Sequence, residues 1–201
     1  MRASRGEIDA LPIFPLKVDN FLQEDECHSL LEFLNSDHAD FGVFDLTADY
    51  WAGRSLGPDR LSKSSVLDSF RQIRDRVVTT LHAALEEHLG PQPPLFADLV
   101  NFARWPCGYE LQPHADSENP GGVPHPFPWR DFASVIYLND EYDGGTIYFP
   151  NLGVELKPRP GTLIAFPGTL RYLHGVRRVT AGMRHTIASF ITFDESKRYE
   201  F

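Results

Sequence analysis

The sequence predicts an α+β fold in which helices precede a β-sandwich or barrel. Two helical stripes of apolar residues lie before position 94, and short strand-like runs follow it. Glycine and proline turns separate these runs at short intervals, which argues against βαβ units. The chain has 201 residues, of which 42% are hydrophobic and 12% aromatic, so a sizeable core can form.

The first expected elements are an extended segment over residues 13–22 and a helix over residues 24–35. The apolar positions of this helix follow the i, i+3, i+4, i+7 pattern, and its first turn is acidic. Residues 36–62 are polar and contain glycine, so a loop is expected there.

A longer helix is predicted over residues 65–89. Ser65 and Asp68 resemble a capping box at its start, and Gly90-Pro91 ends it. Its apolar stripe comprises Val66, Phe70, Ile73, Val77, Leu81 and Leu85.

The residues after Pro94 are expected to form the sheets. The strand-like runs are residues 95–105, 132–138, 146–149, 154–156, 162–166 and 184–193. No internal repeat or linker divides the chain. We therefore expect one domain over residues 1–201, with a helical part to about residue 94 and a β-rich part over about residues 95–195.

The charge balance narrows the range of partners. The formal net charge is -9, and phosphate backbones are held by a surplus of lysine and arginine, so no nucleic-acid partner is expected. The first ten residues lack an apolar secretion signal and no apolar run approaches a membrane span, so we expect a cytoplasmic protein without a membrane partner. Cys27 and Cys107 lack metal-type spacing and are expected to be free thiols.

The tripeptide His-Ala-Asp occurs twice, at residues 38–40 and 114–116. Ligands spaced i, i+2 share one face of an extended strand, so both can point at one metal ion. The first copy falls in the predicted polar loop and is expected to be solvated. The second copy follows a strand-like run, and His174 and Arg184 lie downstream of it. His114, Asp116 and His174 are therefore candidate ligands of a facial triad, in which two imidazoles and one carboxylate leave other positions open.

The sequence around the second copy resembles one known family over roughly residues 99–193. The matching segments are residues 104–108, 134–139, 144–150, 160–166, 174–176 and 182–184. Together they are similar to the prolyl-4-hydroxylase-like branch of the iron(II)- and 2-oxoglutarate-dependent dioxygenases. The resemblance implies a double-stranded β-helix, or jelly roll, with N-terminal supporting helices.

The resemblance also implies the chemistry. His114, Asp116 and His174 would bind Fe(II) and form the catalytic centre, while Arg184 would hold the distal carboxylate of 2-oxoglutarate. A guanidinium suits that role because it is a rigid, permanently charged fork of donors. O₂ would be the second cosubstrate, succinate and CO₂ would be released, and ascorbate is expected as reductant. The carboxylate of Asp116 favours hydroxylation over the halogenation of related enzymes, in which a small residue replaces it.

Two positions depart from the family pattern. Leu111 stands where many members have a tyrosine, and the tyrosine that helps to hold the distal carboxylate would fall near Ile136. Thr186, Ser134 and Tyr109 are the candidate replacements for that second partner, and the choice among them stays open.

The substrate is less constrained by the sequence. Residues 117–129 are rich in proline, glycine and aromatic residues and directly follow the metal ligands, which favours a lid or substrate wall. Trp129, Arg130 and His125 are candidate substrate-binding residues. The compact chain favours a small molecule, such as an amino acid or natural-product precursor, and a prolyl residue in a peptide or protein is the alternative.

Two other classes of protein are alternatives to an oxygenase, and the histidine next to Arg184 needs its own interpretation. A non-catalytic jelly-roll binding or sensor module could retain the fold, and a zinc hydrolase could use the same three ligands with a water, but neither gives Arg184 a purpose. His185 should point away from Arg184 because side chains alternate along a strand. The sequence leaves the oligomeric state open.

Overall fold

The computed structural model describes residues 2–42, 50–61 and 66–201. Its α-helices are α1 (Arg5–Asp9), α2 (Glu24–Leu34) and α3 (Leu67–Leu89). The strands of the described residues are β1 (Leu16–Val18), β2 (Ser55–Leu56), β3 (Phe96–Pro106), β4 (Leu111–His114), β5 (Phe132–Tyr137), β6 (Tyr142–Gly144), β7 (Ile147–Phe149), β8 (Val154–Leu156), β9 (Leu163–Pro167), β10 (His174–Val176) and β11 (Val179–Thr192).

The strands form two antiparallel sheets that face each other. The order β1-β9-β5-β11-β3-β2 makes the larger sheet, and β6 joins the early end of β11. The smaller sheet has the order β4-β10-β7-β8. Phe149 of the smaller sheet packs edge-on against Phe166 of the larger, with ring centroids 5.0 Å apart. The predicted α+β jelly roll is therefore confirmed.

Strand β11 is longer than the sequence predicts. It begins at Val179 instead of Arg184, because its first residues pair with β6, for example Gly182 with Tyr142. Strands β2, β4, β6 and β10 have two to four residues each, and none of them is among the predicted runs.

Helix α3 covers the outer face of the larger sheet. All six residues of its predicted stripe are buried, and Phe70 stacks on Phe102 of β3 with ring centroids 4.5 Å apart. The helix ends at Gly90, whose φ of +73° favours glycine. The predicted start at Ser65 lies outside the described residues. No helix of the described ranges combines the length and apolar character of a membrane span.

Helix α1, which the sequence did not predict, lies against the segment that precedes His174. A capping box starts the helix, since the Ser4 backbone N–H donates to Glu7 (2.8 Å) and the Glu7 N–H donates to the Ser4 hydroxyl (3.3 Å). At its other end the Asp9 carboxylate accepts from the Thr169 hydroxyl at 2.9 Å, and the Asp9 carbonyl accepts from the Tyr172 hydroxyl at 3.0 Å. The helix therefore ties the N-terminal part to the jelly roll.

The two faces of β11 have different surroundings. Ile187 pairs with Phe102, which packs on α3, so this face of the strand points towards the helix. His185 shares that face by two-residue alternation and is 5% exposed. Arg184 and Thr186 lie on the opposite face, towards the interior of the jelly roll. The predicted division between Arg184 and His185 agrees with this arrangement.

The buried His185 makes stability depend on pH. Burial, with the nearby Arg104 charge, lowers the pKa of His185 from 6.5 to about 4. The unfolded chain then binds more protons than the folded one between these values, so stability is lost as the pH falls from 6.5 to 4. We expect His185→Leu to reduce this loss by about 3 kcal/mol, measured by urea unfolding of the metal-free protein at pH 7 and pH 4.

The matched control for this prediction is His38→Leu, since His38 is exposed in a loop. It should retain the pH dependence of the wild type. An unchanged dependence in His185→Leu would show that His185 does not carry the effect.

Candidate metal and dicarboxylate site

Two histidines meet because they end adjacent strands. His114 is the last residue of β4 and His174 the first of β10, and the two are directly paired across the smaller sheet. Asp116 lies between them, with its Oδ1 3.6 Å from His114 Nε2 and its Oδ2 3.6 Å from His174 Nε2. One donor atom from each residue lies within 4.8 Å of the others, a spacing that allows one metal ion to bind all three.

Backbone carbonyls hold both imidazoles in the orientation that a metal requires. His114 Nδ1 lies 3.0 Å from the Gln112 carbonyl, and His174 Nδ1 lies 3.1 Å from the Tyr172 carbonyl. An Nδ1–H that donates to a carbonyl leaves the Nε2 lone pair free for the metal. Both Nε2 atoms face Asp116, so the two rings present their free nitrogens to the same point.

The electrostatics of the cluster suit a cation. Burial lowers the pKa of His174 to about 4, so this imidazole is neutral at neutral pH, the form that binds metals. Burial opposes ionisation of Asp116, but the adjacent imidazoles of His174 and His114, with the charge of Arg130, lower its pKa below the usual value. For His114, burial is likewise outweighed by Asp116, which raises the pKa of the imidazole.

Asp116 is positioned by a close backbone approach rather than by a strand. Strand β4 ends at His114, and Asp116 lies in the bend that follows it. Its N–H donates to the Gly168 carbonyl at 3.0 Å, and the Ser117 N–H donates to the same oxygen at 2.9 Å. A Cβ at Gly168 would lie 2.6 Å from the Arg130 carbonyl oxygen, so only glycine fits this contact.

The donor set fits Fe(II). Asp116 Oδ2 is buried and has no hydrogen-bond donor among residues 2–42, 50–61 and 66–201. A buried carboxylate oxygen without a donor is costly unless a cation binds it. Two imidazoles and one carboxylate are the ligands of the facial iron triad.

A second set of unpaired groups surrounds Arg184. Its side chain is 1% exposed, and Nε and Nη1 have no acceptor within the described residues. The guanidinium carbon lies 4.8 Å from the centroid of the Tyr137 ring and 5.0 Å from that of Trp105. Burial raises the pKa of Tyr137, and it raises that of Tyr142 to about 12, so both phenols stay protonated. Arg184, Tyr137 and Tyr142 together form a pocket that supplies one positive charge and two hydroxyl donors.

This pocket suits the distal carboxylate of a dicarboxylic acid. The Tyr137 and Tyr142 hydroxyls are buried, and across the described part of the chain neither has a hydrogen-bond partner. An anion that accepted from them and from Arg184 would satisfy all three groups. A Cβ at Gly145 would lie 3.1 Å from Arg184 Cδ and 2.9 Å from the Tyr142 ring, so glycine leaves room for both side chains.

The structure places a tyrosine beside Arg184, one residue from the position at which the family's tyrosine was expected. Tyr137, not Ile136, faces the arginine, since Tyr137 pairs with Thr186, which shares the face of Arg184. Ser134 lies three positions from Tyr137 and therefore points to the opposite face, towards the helices. The sequence signal that could have identified Tyr137 is its place at the end of the β5 run, directly before Leu138-Asn139.

The two other predicted partners have different positions. Thr186 is buried directly opposite Tyr137, on the face of β11 that carries Arg184. Tyr109 lies in the turn before β4, where its ring contacts Arg54 instead, with the guanidinium carbon 4.4 Å from the ring centroid.

The predicted substrate wall follows the metal ligands as an irregular segment. Arg130 pairs with Asp98 at 2.8 Å and stacks on Phe190 at 3.7 Å. Trp129 lies under Lys197, 4.3 Å from the ring centroid. His125 Nδ1 accepts from the Phe127 N–H at 3.1 Å within the segment. None of the three predicted substrate residues belongs to the ligand cluster.

The first His-Ala-Asp copy lies in an exposed loop, as predicted. Asp40 accepts from the Gly42 N–H at 2.9 Å, and the His38 N–H is 3.2 Å from the Ser36 hydroxyl. His38 and Asp40 are therefore part of a loop outside the metal cluster.

The jelly roll, the His-Asp-His cluster and the buried arginine pocket are together the features that the resemblance to the 2-oxoglutarate-dependent oxygenases implies. The model of the 2OG-Fe(II) oxygenase superfamily matches residues 100–192. This match covers a little under half of the chain, and the resemblance to the prolyl-4-hydroxylase-like branch of the superfamily is confirmed. The superfamily implies Fe(II), 2-oxoglutarate and O₂ as cofactor and cosubstrates.

Curated relatives include the human prolyl 3-hydroxylases. Prolyl 3-hydroxylase 1 is 36% identical over 76 residues, which are 35% of this chain and 10% of the relative. Prolyl 3-hydroxylase 3 is 35% identical over 80 residues, 37% of this chain and 11% of the relative. The chain thus spans about a tenth of the length of the curated relatives it matches.

Solved structures support the fold. A prolyl-4-hydroxylase from Pseudomonas putida aligns with a TM-score of 0.62 at 17% identity, covering 98% of this chain and 100% of that one. A prolyl hydroxylase from Trichoplax adhaerens, in complex with a hypoxia inducible factor peptide fragment, aligns with a TM-score of 0.66 at 19% identity. That alignment covers 96% of this chain and 90% of the other.

Proposed function

We propose that the protein is an Fe(II)- and 2-oxoglutarate-dependent dioxygenase that hydroxylates prolyl residues of a peptide or protein. The observation that carries the proposal is the presence, inside one jelly roll, of a three-ligand cluster and a separate buried pocket of unpaired donors. A zinc hydrolase would account for the three-ligand cluster, and a sensor would account for the fold. Neither explains the unpaired Arg184.

The two parts of the site have different roles. His114, Asp116 and His174 would hold the metal, while Arg184, Tyr137 and Tyr142 would fix the distal carboxylate of 2-oxoglutarate. Fe(II) with 2-oxoglutarate and O₂ supplies the oxidising power for inserting oxygen into a C–H bond, with release of succinate and CO₂. We infer that ascorbate maintains the ferrous state.

A peptidyl substrate is favoured over the small molecule expected from the size of the chain. The curated relatives are prolyl 3-hydroxylases, and one solved neighbour holds a peptide fragment. The segment over residues 117–129, which directly follows Asp116 in sequence, also exposes apolar side chains, with Val123 60% and Phe127 38% exposed. Exposed apolar surface of this kind suits contact with an extended chain.

We also propose that residues 1–201 act as one domain. One cluster of buried residues runs from Ile8 through α2 and α3 to Ile191 of β11. The helical part thus shares its core with the larger sheet.

A substrate screen tests the proposed function. The purified protein, with Fe(II), 2-oxoglutarate, O₂ and ascorbate, is incubated with a library of proline-containing peptides and with free amino acids. We expect mass spectrometry to find peptides that gain one oxygen atom on proline, with succinate formed in equal amount. Asp116→Ala should give no product.

Oxygen insertion only into free amino acids would replace the peptidyl substrate by the small-molecule alternative. Succinate formation that no substrate stimulates, with no oxygenated product in either pool, would contradict the hydroxylase proposal.

A further inference from the structure

A second buried arginine lies outside the pocket of Arg184, Tyr137 and Tyr142, which we call the cosubstrate pocket. Arg54, directly before β2, is 0% exposed. Its Nε donates to the Tyr50 carbonyl at 3.0 Å, whereas Nη1 and Nη2 have no acceptor within residues 2–42, 50–61 and 66–201. Buried charges in proteins are normally paired, so the free end of this guanidinium indicates an absent anion.

Aromatic rings surround the Arg54 guanidinium and supply no such anion. Its central carbon lies 4.0 to 4.9 Å from the ring centroids of Tyr50, Trp51, Trp105 and Tyr109. These rings attract the cation and orient its plane, but their faces offer no lone pair to the two terminal nitrogens. We call these four residues with Arg54 the aromatic box.

The side chain of Glu110, the carboxylate next to the box, already has other partners. Glu110 adjoins the box, where its backbone carbonyl accepts from the Tyr50 hydroxyl. Its side chain instead pairs with Arg178 at 3.4 Å and accepts from Gln112 at 3.1 Å. The ligand of Arg54 therefore has to come from outside the described chain.

The aromatic box adjoins the cosubstrate pocket and reaches the surface. Trp105 is common to both, with the Arg184 guanidinium carbon 5.0 Å and that of Arg54 4.9 Å from its ring centroid. The indole N–H of Trp105 is also buried without a partner in the described chain. Tyr50 is 37% exposed, and Trp51 and Tyr109 are half-buried, so the rim of the box contacts solvent.

We propose that Arg54 binds a carboxylate of the substrate beside the hydroxylated proline. Two terminal N–H groups on one planar guanidinium donate to the two oxygens of a carboxylate in a bidentate fork, which a neutral amide cannot match. The carboxylate is supplied either by an acidic side chain next to the proline or by the C-terminus of a peptide. This inference rests on the proposed function and adds a preference for acidic substrates.

Matched peptides test the inference by binding, independently of turnover. Each proline peptide is made with glutamate or glutamine beside the proline, and with a C-terminal acid or amide. Dissociation constants are measured by calorimetry on the protein with Fe(II) and 2-oxoglutarate under nitrogen. We expect one charged member to bind about 10- to 100-fold more tightly than its neutral counterpart, and the pair that shows this identifies the source of the carboxylate.

Variants assign the preference to Arg54. Arg54→Gln should reduce the preference for the charged peptide to less than about twofold. Arg54→Lys keeps the charge but loses the bidentate fork, so it should retain part of the preference. The affinity for 2-oxoglutarate should not change in either variant. The control is Arg104→Gln, which removes another arginine of this region that stacks on Phe41 and donates to the Gly53 carbonyl, and it should keep the wild-type preference.

The outcomes separate this inference from the proposed function. Equal binding of charged and neutral peptides by the wild type would overturn the role of Arg54, even if both peptides are hydroxylated. A lower melting temperature of Arg54→Gln with the preference intact would assign Arg54 to folding alone and also overturn it. A preference that is lost in Arg54→Gln, in peptides that gain no oxygen, would support Arg54 and contradict the hydroxylase proposal.

Discussion

His174→Ala is expected to abolish metal-dependent turnover of 2-oxoglutarate. The substitution removes one of three donors from a cluster whose members lie within 4.8 Å of one another. Loss of a residue that merely supports a ligand commonly costs 10- to 100-fold in metal affinity or activity, so loss of the ligand itself should cost roughly 100-fold or more. Succinate formation and bound iron, both measured on the purified variant, should fall together.

The control uses the repeated tripeptide of the chain itself. His38 belongs to the same His-Ala-Asp sequence as His114, but it is exposed in a loop outside the cluster. His38→Ala should therefore bind iron and form succinate at the wild-type level. Equal losses in the two variants would remove the basis for placing the metal at His114, Asp116 and His174.

Arg184→Ala should raise the concentration of 2-oxoglutarate needed for half-maximal turnover by about 100-fold. The substitution removes the one charge of the pocket and leaves the hydroxyls of Tyr137 and Tyr142 to bind the carboxylate alone. Removing one member of a buried, charge-assisted pair commonly costs several kcal/mol, and each 1.4 kcal/mol corresponds to tenfold in affinity. Initial rates at varied 2-oxoglutarate, with iron saturating, give the measurement.

Two further variants sharpen this result. Tyr137→Phe removes a single hydroxyl and should raise the requirement by about tenfold or less. Arg178→Ala removes an exposed arginine that pairs with Glu110, and it should leave the requirement unchanged. If Arg184→Ala also leaves it unchanged, the dicarboxylate is held elsewhere.

Most of the metal site could be predicted from the sequence, because the residue types of the ligands and their order form a recognisable motif. His114 and Asp116 could be distinguished from the His-Ala-Asp copy at His38 by the strand-like residues before them and by His174 downstream. The fold class followed from the same kind of signal, since the helical stripes and the β runs have clear periods. Patterns with a fixed period were therefore reliable.

Features that depend on register or on short elements were not predictable in the same way. Placing the tyrosine position of the family at Ile136 misses Tyr137 by one residue, and in a strand a shift of one residue exchanges the two faces. Arg54 carried no signal at all. It reaches Trp105 because the Arg54 carbonyl accepts from the Arg104 N–H and the two-residue β2 pairs with β3.

The first helix connects the N-terminal residues with the metal site. Asp9 binds Thr169 and Tyr172, which are 160 and 163 positions away in sequence, and the carbonyl of Tyr172 in turn orients the ring of His174. Displacing the helix would therefore release the segment that aims one metal ligand. We therefore expect the two ends of this contact to unfold together, so a bound metal would hold the N-terminal residues in place as well as its own ligands.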